Sequence, residues 1–197
     1  MRVLIEGLGI SGYKVYHKVL KSNDFGLPQK RERIYFVGIR NDLHCTEYIF
    51  PNLSNSRPKL KDFLIDDDPK YVFDNYEWFD KYLNNKYNRG KYNLDKLLSQ
   101  DYIIVDTRQS DLRIYKEYAP TLRTGRSGIL YTKNGQLRYL SGREALLLQG
   151  FSHDMYEKSK GLVNSLLLQQ TGNSMSVNVI EALGKELKNT MKVNGDL

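Results

Sequence analysis

One run of this sequence leaves little conformational freedom: Ile34-Tyr35-Phe36-Val37-Gly38-Ile39, directly after Arg31-Glu32-Arg33. β-Branched and aromatic side chains fit a pleated strand. A run that is apolar at both odd and even positions is expected of a strand buried inside a sheet. A preceding strand is predicted from Tyr13 to Leu20, carrying Val15, Tyr16 and Val19, after a short helix end. Gly7-Leu8-Gly9-Ile10-Ser11-Gly12 is glycine-rich but follows no convincing strand, so it reads as a turn and not as a nucleotide loop.

The rest of the chain divides into an irregular and a regular part, with no internal repeat. Residues 41–118 carry many Asn, Asp, Lys and Tyr residues, interrupted by Pro51, Pro58 and Pro69. Short helices are expected at Asp62-Phe63-Leu64 and from Tyr92 to Leu98, and a strand from Tyr102 to Asp106. This part looks like a variable insertion on a more regular frame. From residue 119 onward the patterning returns. Ile129-Leu130-Tyr131 and Leu137-Arg138-Tyr139 flank Asn134-Gly135, a strong hairpin signal. Ser141-Gly142-Arg143-Glu144 matches a capping box, opening a helix to Gln149 that Gly150 ends. Ser174 is expected to start a last helix with Val177, Ile180, Leu183 and Leu187 on one face.

A length of 197 residues allows one sizeable domain or two small ones. The net charge of +7 suits a polyanionic partner, DNA or RNA, or else an ordinary basic enzyme. No apolar run is long enough to span a membrane. The N-terminal apolar stretch is too short for a secretion signal. Cys45 is the sole cysteine, so no intramolecular disulfide can form, which fits a reducing cytoplasm. It is read as a half-buried packing residue. His17, His44 and His153 do not stand at metal-ligand spacing with it, so no metal is expected.

Three stretches carry the chemistry. Phe25-Gly26-Leu27-Pro28-Gln29-Lys30-Arg31-Glu32-Arg33 places two guanidinium groups at the mouth of the strand, where they can hold phosphate or a base carbonyl with forked hydrogen bonds. A plain charge cluster at a strand end is the alternative. Arg138-Tyr139-Leu140-Ser141-Gly142-Arg143-Glu144 continues to Gln149-Gly150-Phe151, where Arg143 and Glu144 are expected to make local pairs and caps. Gln170-Thr171-Gly172-Asn173-Ser174-Met175-Ser176-Val177 offers a turn with free N–H groups and short polar side chains, suited to a carboxylate and hydroxyls or to plain helix capping. A shorter stretch, Ala119-Pro120-Thr121-Leu122-Arg123-Thr124, precedes the second of them.

In this order, these stretches resemble the eighth, ninth and tenth motifs of the DNA (cytosine-5) methyltransferase family, with Thr121-Leu122 matching a Thr-Leu pair near the end of its recognition domains. The resemblance covers residues 13–40 and about 119–187; Met175 stands where the family usually has Val. It implies a mixed α/β fold: the edge portion of a Rossmann-like methyltransferase sheet plus a small, irregular, mostly β target-recognition domain. Residues 1–40 would end the catalytic-domain sheet, 41–135 form the recognition region, and 136–197 return to the catalytic domain. Arg31 and Arg33, with Gln29, would reach the flipped cytosine and its backbone, and Asn173 and Ser174 would contact S-adenosyl-L-methionine. Thr121 would contact a phosphate beside the flipped base, Lys30, Arg123, Arg126 and Arg138 would neutralise phosphates, and Arg108, Gln109 and Arg113 would supply base contacts.

The family's Gly-rich loop, Pro-Cys nucleophile and Glu-Asn-Val segment have no counterpart here, and Cys45 follows the eighth motif instead of preceding it. The resemblance therefore implies a subunit or fragment of a restriction-modification methyltransferase, inactive alone, that acts on double-stranded DNA with a larger subunit carrying those segments. A non-catalytic DNA-binding module and an inactive remnant are the alternatives; a small RNA-binding protein lacks support in the aromatic pattern. Such a piece is expected to leave one sheet face or edge apolar and exposed, from Ile34 to Ile39 and the helix face of Val177, Ile180 and Leu183.

Overall fold

In the computed structural model, residues 2–44, 47–124 and 127–195 are described. Cys45 and Arg126, whose expected roles are given above, lie outside them. Helix α1 (Arg2–Ile10) leads into β1 (Tyr13–Lys21), which pairs antiparallel with β3 (Glu32–Arg40) through a register running from Tyr13 opposite Arg40 to Lys21 opposite Glu32. The connection folds as a single 3-10 turn, Ser22–Phe25, and Gly26 follows at φ 78°, a left-handed conformation that glycine adopts without a side-chain penalty.

The two faces of this ribbon differ. Leu20, Tyr35 and Ile39 pack with Phe25, Tyr48, Val179 and Leu183 into one core cluster. On the opposite face Val19 is 56% and Phe36 36% exposed, and His17 stacks on the Phe36 ring at 5.8 Å. The apolar strand is therefore covered on one face only. Among the described residues it pairs with one neighbour, β1.

A four-stranded antiparallel sheet forms the middle of the chain, in the order β5 (Arg113–Tyr115), β4 (Ile104–Asp106), β7 (Ile129–Lys133), β8 (Gln136–Tyr139). Alternate residues feed two cores. Ile104 and Tyr131 face Leu60, Leu64, Ala145 and Leu148, while Val105 and Leu130 face Phe79, Leu83 and Leu97. The second core is roofed by α2 (Tyr76–Leu83) and α3 (Leu94–Leu98), each capped by an asparagine, Asn75 and Asn93. The helix expected at Asp62–Leu64 is a 3-10 turn at Leu60–Asp62. The β7–β8 turn has Asn134 and Gly135 at φ 53° and 72°, as a tight hairpin requires. Residue 135 lies in the turn of this hairpin, and β8 pairs antiparallel with β7.

Four helices close the chain among the described residues: α4 (Gly142–Leu148), α5 (His153–Lys158), α6 (Asn164–Asn173) and α7 (Val177–Val193). Gly142 lets α4 and α6 touch, since a Cβ there would stand 2.4 Å from that of Leu167. The last helix departs from the sequence reading. Gly172 and Asn173 end α6, Ser174 caps its C-terminus, and α7 begins at Val177 after Ser176. Its buried face is Val179 and Leu183, which meet the ribbon, while Ile180 is 37% exposed.

Beneath α4 lies a buried polar network. Glu144 accepts from the Asp66 N–H (3.0 Å), the Tyr131 hydroxyl (2.9 Å) and the Ser141 N–H (3.0 Å), completing the capping box. Arg138, expected to face phosphate, is instead buried: it donates to the Asp66 and Asp68 carbonyls at 2.9 Å. Arg143 stacks its guanidinium on Tyr156 at 3.9 Å. Burial pushes the Glu144 carboxyl from its ordinary 4.5 up to about 7. The folded chain then binds this proton more tightly than the unfolded one, so the group's contribution to stability is greatest below about pH 4.5 and falls as pH rises to about 7. Urea unfolding at pH 5 and pH 8 should show that loss. Glu144→Gln should flatten the slope while costing stability at both pH values, because its amide NH2 faces N–H donors.

Candidate functional site

The regions resembling the three motifs converge on one side chain. β2 (Gln29–Lys30) pairs parallel with β6 (Ala119–Pro120), and the Thr121 hydroxyl donates to the Lys30 carbonyl at 2.8 Å. The chain then bends at Arg31, whose own backbone is held by Ser22: the Ser22 N–H donates to the Arg31 carbonyl at 3.0 Å, and the Arg31 N–H to the Ser22 hydroxyl at 3.1 Å. The bend sends the Arg31 guanidinium inward. It donates to the Leu122 carbonyl at 3.1 Å, the Gly172 carbonyl at 3.4 Å and the Ser174 carbonyl at 2.9 Å. Burial lowers its pKa from the ordinary arginine value.

Gln29 is likewise interior. Its amide donates to the Leu148 carbonyl at 3.3 Å. Gln149 donates to the Thr171 carbonyl at 2.7 Å and to Ser174, and its own carbonyl accepts from Val177. Gly172 lies so close to the 123–124 backbone that a Cβ would stand 2.5 Å from the Thr124 nitrogen. Beside it, the Thr124 hydroxyl bonds the exposed Asn173 amide oxygen. The Ser174 hydroxyl donates to the Thr171 carbonyl at 2.9 Å, closing the end of α6. Gln29 and Arg31 are therefore buried, as ties between segments. This differs from the expectation that both arginines face a bound base, because the bend at Arg31 interrupts the strand and separates their directions.

Arg33 emerges on the other side, exposed, into a cleft of about 480 Å³. Most of the expected DNA-contacting residues meet there: Arg108, Gln109, Arg113, Thr121 and Arg123 line it with Lys30. Glu32 and Asp106 are the acidic residues in its wall. Asp106 is matched by Arg108, which grips it at 2.7 Å through both Nε and Nη2 and donates to the Thr121 carbonyl at 3.0 Å. That fork is buried and forms the floor. Arg113 leans on Asp111 at 3.2 Å, at the surface. The cleft keeps an excess of cations, which suits a phosphate backbone. The Asp106 role was missed from sequence; its signal is an acid two residues before an arginine at a strand end.

Substitution separates the two arginines. Arg31→Lys keeps the charge but loses the planar fork that spans diverging carbonyls, and should lower stability by about 2 kcal/mol in urea unfolding. Arg33→Lys, at an exposed position, should change it by less than about 0.5 kcal/mol.

Comparison with known proteins places the chain among methyltransferases. The chain is 34% identical to the Type II methyltransferase M.HaeII of Haemophilus aegyptius over 193 residues, covering 98% of this chain and 56% of that one. It is 34% identical to M.NgoBI of Neisseria gonorrhoeae, covering 93% and 54%. The chain thus spans a little over half the length of these curated relatives. Among solved structures, its fold matches an Entamoeba histolytica methyltransferase at a TM-score of 0.61 and 18% identity, covering 95% of this chain and 57% of that one. It matches the Dnmt2 methyltransferase of S. pombe at 0.58 and 17%, covering 97% and 61%. Family-wide comparison matches residues 1–189 to the C-5 cytosine-specific DNA methylases, whose cofactor is S-adenosyl-L-methionine. The chain belongs to the C-5 cytosine-specific DNA methylase family.

Proposed function

We propose that this chain is the part of a cytosine-5 DNA methyltransferase that reads the duplex, holds the flipped cytosine and closes the cofactor pocket, in a restriction-modification setting. The observation that carries this reading is the basic cleft in which Arg33 meets Arg108, Gln109, Arg113, Thr121 and Arg123. Lys30 and Arg123 neutralise phosphates, Thr121 meets the backbone beside the flipped base, and Gln109 and Arg113 face base edges. Arg33 contacts the extruded cytosine, whose removal from the stack costs about a few kcal/mol. Arg108, locked on Asp106, shapes the floor. The cofactor supplies the methyl group when bound. Asn173 suits it, with an exposed carboxamide at the end of α6 that can bond hydroxyls or a carboxylate. Ser174, engaged with Thr171 and Gln149, sets the position of that residue.

Attack on the cytosine ring requires a thiolate. Cys45 lacks a preceding proline and follows the cleft loop in sequence, so the nucleophile comes from a larger subunit with the Gly-rich, Pro-Cys and Glu-Asn-Val segments. The exposed apolar face of Val19 and Phe36 supports such a partner, since an uncovered sheet face of this kind marks an interface. Residues 1–40 and 136–197 then complete the partner's sheet, with 41–135 as the recognition region. The cytoplasm, where the DNA is, is the compartment of this activity. Among the described residues no helix is long and apolar enough to cross a membrane.

Mixing the chain with a candidate partner, duplex DNA and labelled cofactor tests this. Methyl transfer is expected from the mixture and from neither protein alone; transfer by this chain alone would overturn the assignment of the nucleophile. In the mixture Arg33→Ala should lower kcat about 100-fold, the scale of removing one preorganised donor, with duplex affinity nearly unchanged. A loss confined to affinity would remove Arg33 from the base.

A further inference from the structure

The turn after α2, residues 84–91, lies against the loop between β4 and β5, and side chains bolt the two together. Asn88 stands between them at 1% exposure, with both ends of its amide engaged. Its Nδ2 donates to the Tyr82 carbonyl at 3.0 Å and the Ser110 carbonyl at 3.1 Å, and its Oδ1 accepts from the Leu112 N–H at 2.8 Å. Asn85 Nδ2 donates to the same Ser110 carbonyl at 2.9 Å. The Tyr82 hydroxyl donates to the Gln109 carbonyl at 2.6 Å, and the Tyr92 hydroxyl to the Leu112 carbonyl at 2.8 Å. The backbone of this loop is thus fixed by neighbouring side chains instead of a strand ladder. The side chains of Gln109 and Ser110 are exposed and make no hydrogen bond among the described residues.

A second concavity of about 620 Å³ opens beside the basic cleft, and Arg108 and Gln109 line both. Its far wall holds Lys86 and Tyr87. Tyr87 is 45% exposed, and the Lys86 ammonium sits 4.9 Å from its ring centre. The surface that starts at Arg33 therefore continues past Gln109 to a cation and an aromatic phenol, both able to meet a sugar-phosphate backbone. A rigid loop with unsatisfied polar side chains suits base-edge recognition, because the pattern of donors and acceptors it presents is set before binding.

We infer that the 84–91 turn is a second arm of the duplex-recognition edge. Lys86 and Tyr87 contact the DNA backbone beyond the cleft, and Asn88 is the positioning residue that sets where Gln109 and Ser110 meet the bases. This rests on the reading that the chain engages duplex DNA.

The test uses the full chain with a pool of duplexes randomised in sequence, followed by affinity measurements on the selected and a scrambled duplex over a range of KCl concentrations. Lys86→Ala should flatten the salt dependence by about 0.9 in log–log slope, the share of one phosphate. Tyr87→Ala should weaken binding about fivefold. Asn88→Ala should keep the salt slope but reduce selectivity for the selected duplex about tenfold, at the base position that Gln109→Ala also relaxes. Asn88→Ser removes the same contacts without placing a charge in the turn, so loss of selectivity by both variants with the circular dichroism spectrum and the salt slope unchanged separates loop positioning from general unfolding. A wild-type chain that selects no duplex would overturn the parent reading along with this one. Selection by the wild type with Lys86→Ala and Tyr87→Ala unchanged would overturn the second arm alone. Equal weakening on all duplexes by the Asn88 variants would overturn the positioning role.

Discussion

The guanidinium of Arg31 joins segments that are far apart in the chain. Its partners are carbonyls of Leu122, Gly172 and Ser174, from the segment after β6 and the turn before α7. Carbonyls at helix and loop ends lack partners of their own, and a planar group with five donors can satisfy several that diverge. A lysine ammonium offers one point of charge and cannot span them. Burial without a carboxylate makes the interaction costly if any acceptor is withdrawn, which is why the packing around it is so close: Gly172 leaves no room for a Cβ against the Thr124 nitrogen.

The cleft inherits its shape from that tie. Because β2 and β6 are zipped beside Arg31, Thr121 and Arg123 are brought opposite Arg33. The Arg108–Asp106 fork adds a second anchor by holding the Thr121 carbonyl from the side of the four-stranded sheet. Neutralising Arg108 in this way leaves Lys30, Arg33, Arg113 and Arg123 to set the sign of the surface. The division of labour is physical: buried arginines are engaged with protein oxygen atoms and exposed ones face solvent, where a polyanion can displace counterions.

Much of the frame was legible because its signals are local. Asn134-Gly135 needs no tertiary contact to favour a hairpin, and the Ser141–Glu144 box closes on itself. The ribbon strands were readable from β-branched and aromatic residues, and most of the cleft residues were named from motif resemblance. Where the reading failed, a non-local contact decided. Ser174 has the composition of an N-cap, yet α6 extends through Asn173 because Arg31 and Gln149 hold the turn that follows. Arg138 has the look of a phosphate ligand, but its strand places it against Asp66 and Asp68. Helices α2, α5 and α6 escaped notice, since short helices depend on packing more than on propensity.

The sequence by itself determined the family, the order of its motifs, the hairpin, the capped helix and the absence of a Pro-Cys pair, because each is written in adjacent residues. Only the tertiary structure decided which arginines are buried against protein carbonyls and which stay exposed at the cleft. Arg31 and Arg33 are two residues apart and chemically identical. A bend held by Ser22 turns the first into the interior and leaves the second at the cleft, and direction at a bend is set by the contacts around it, which no local pattern encodes.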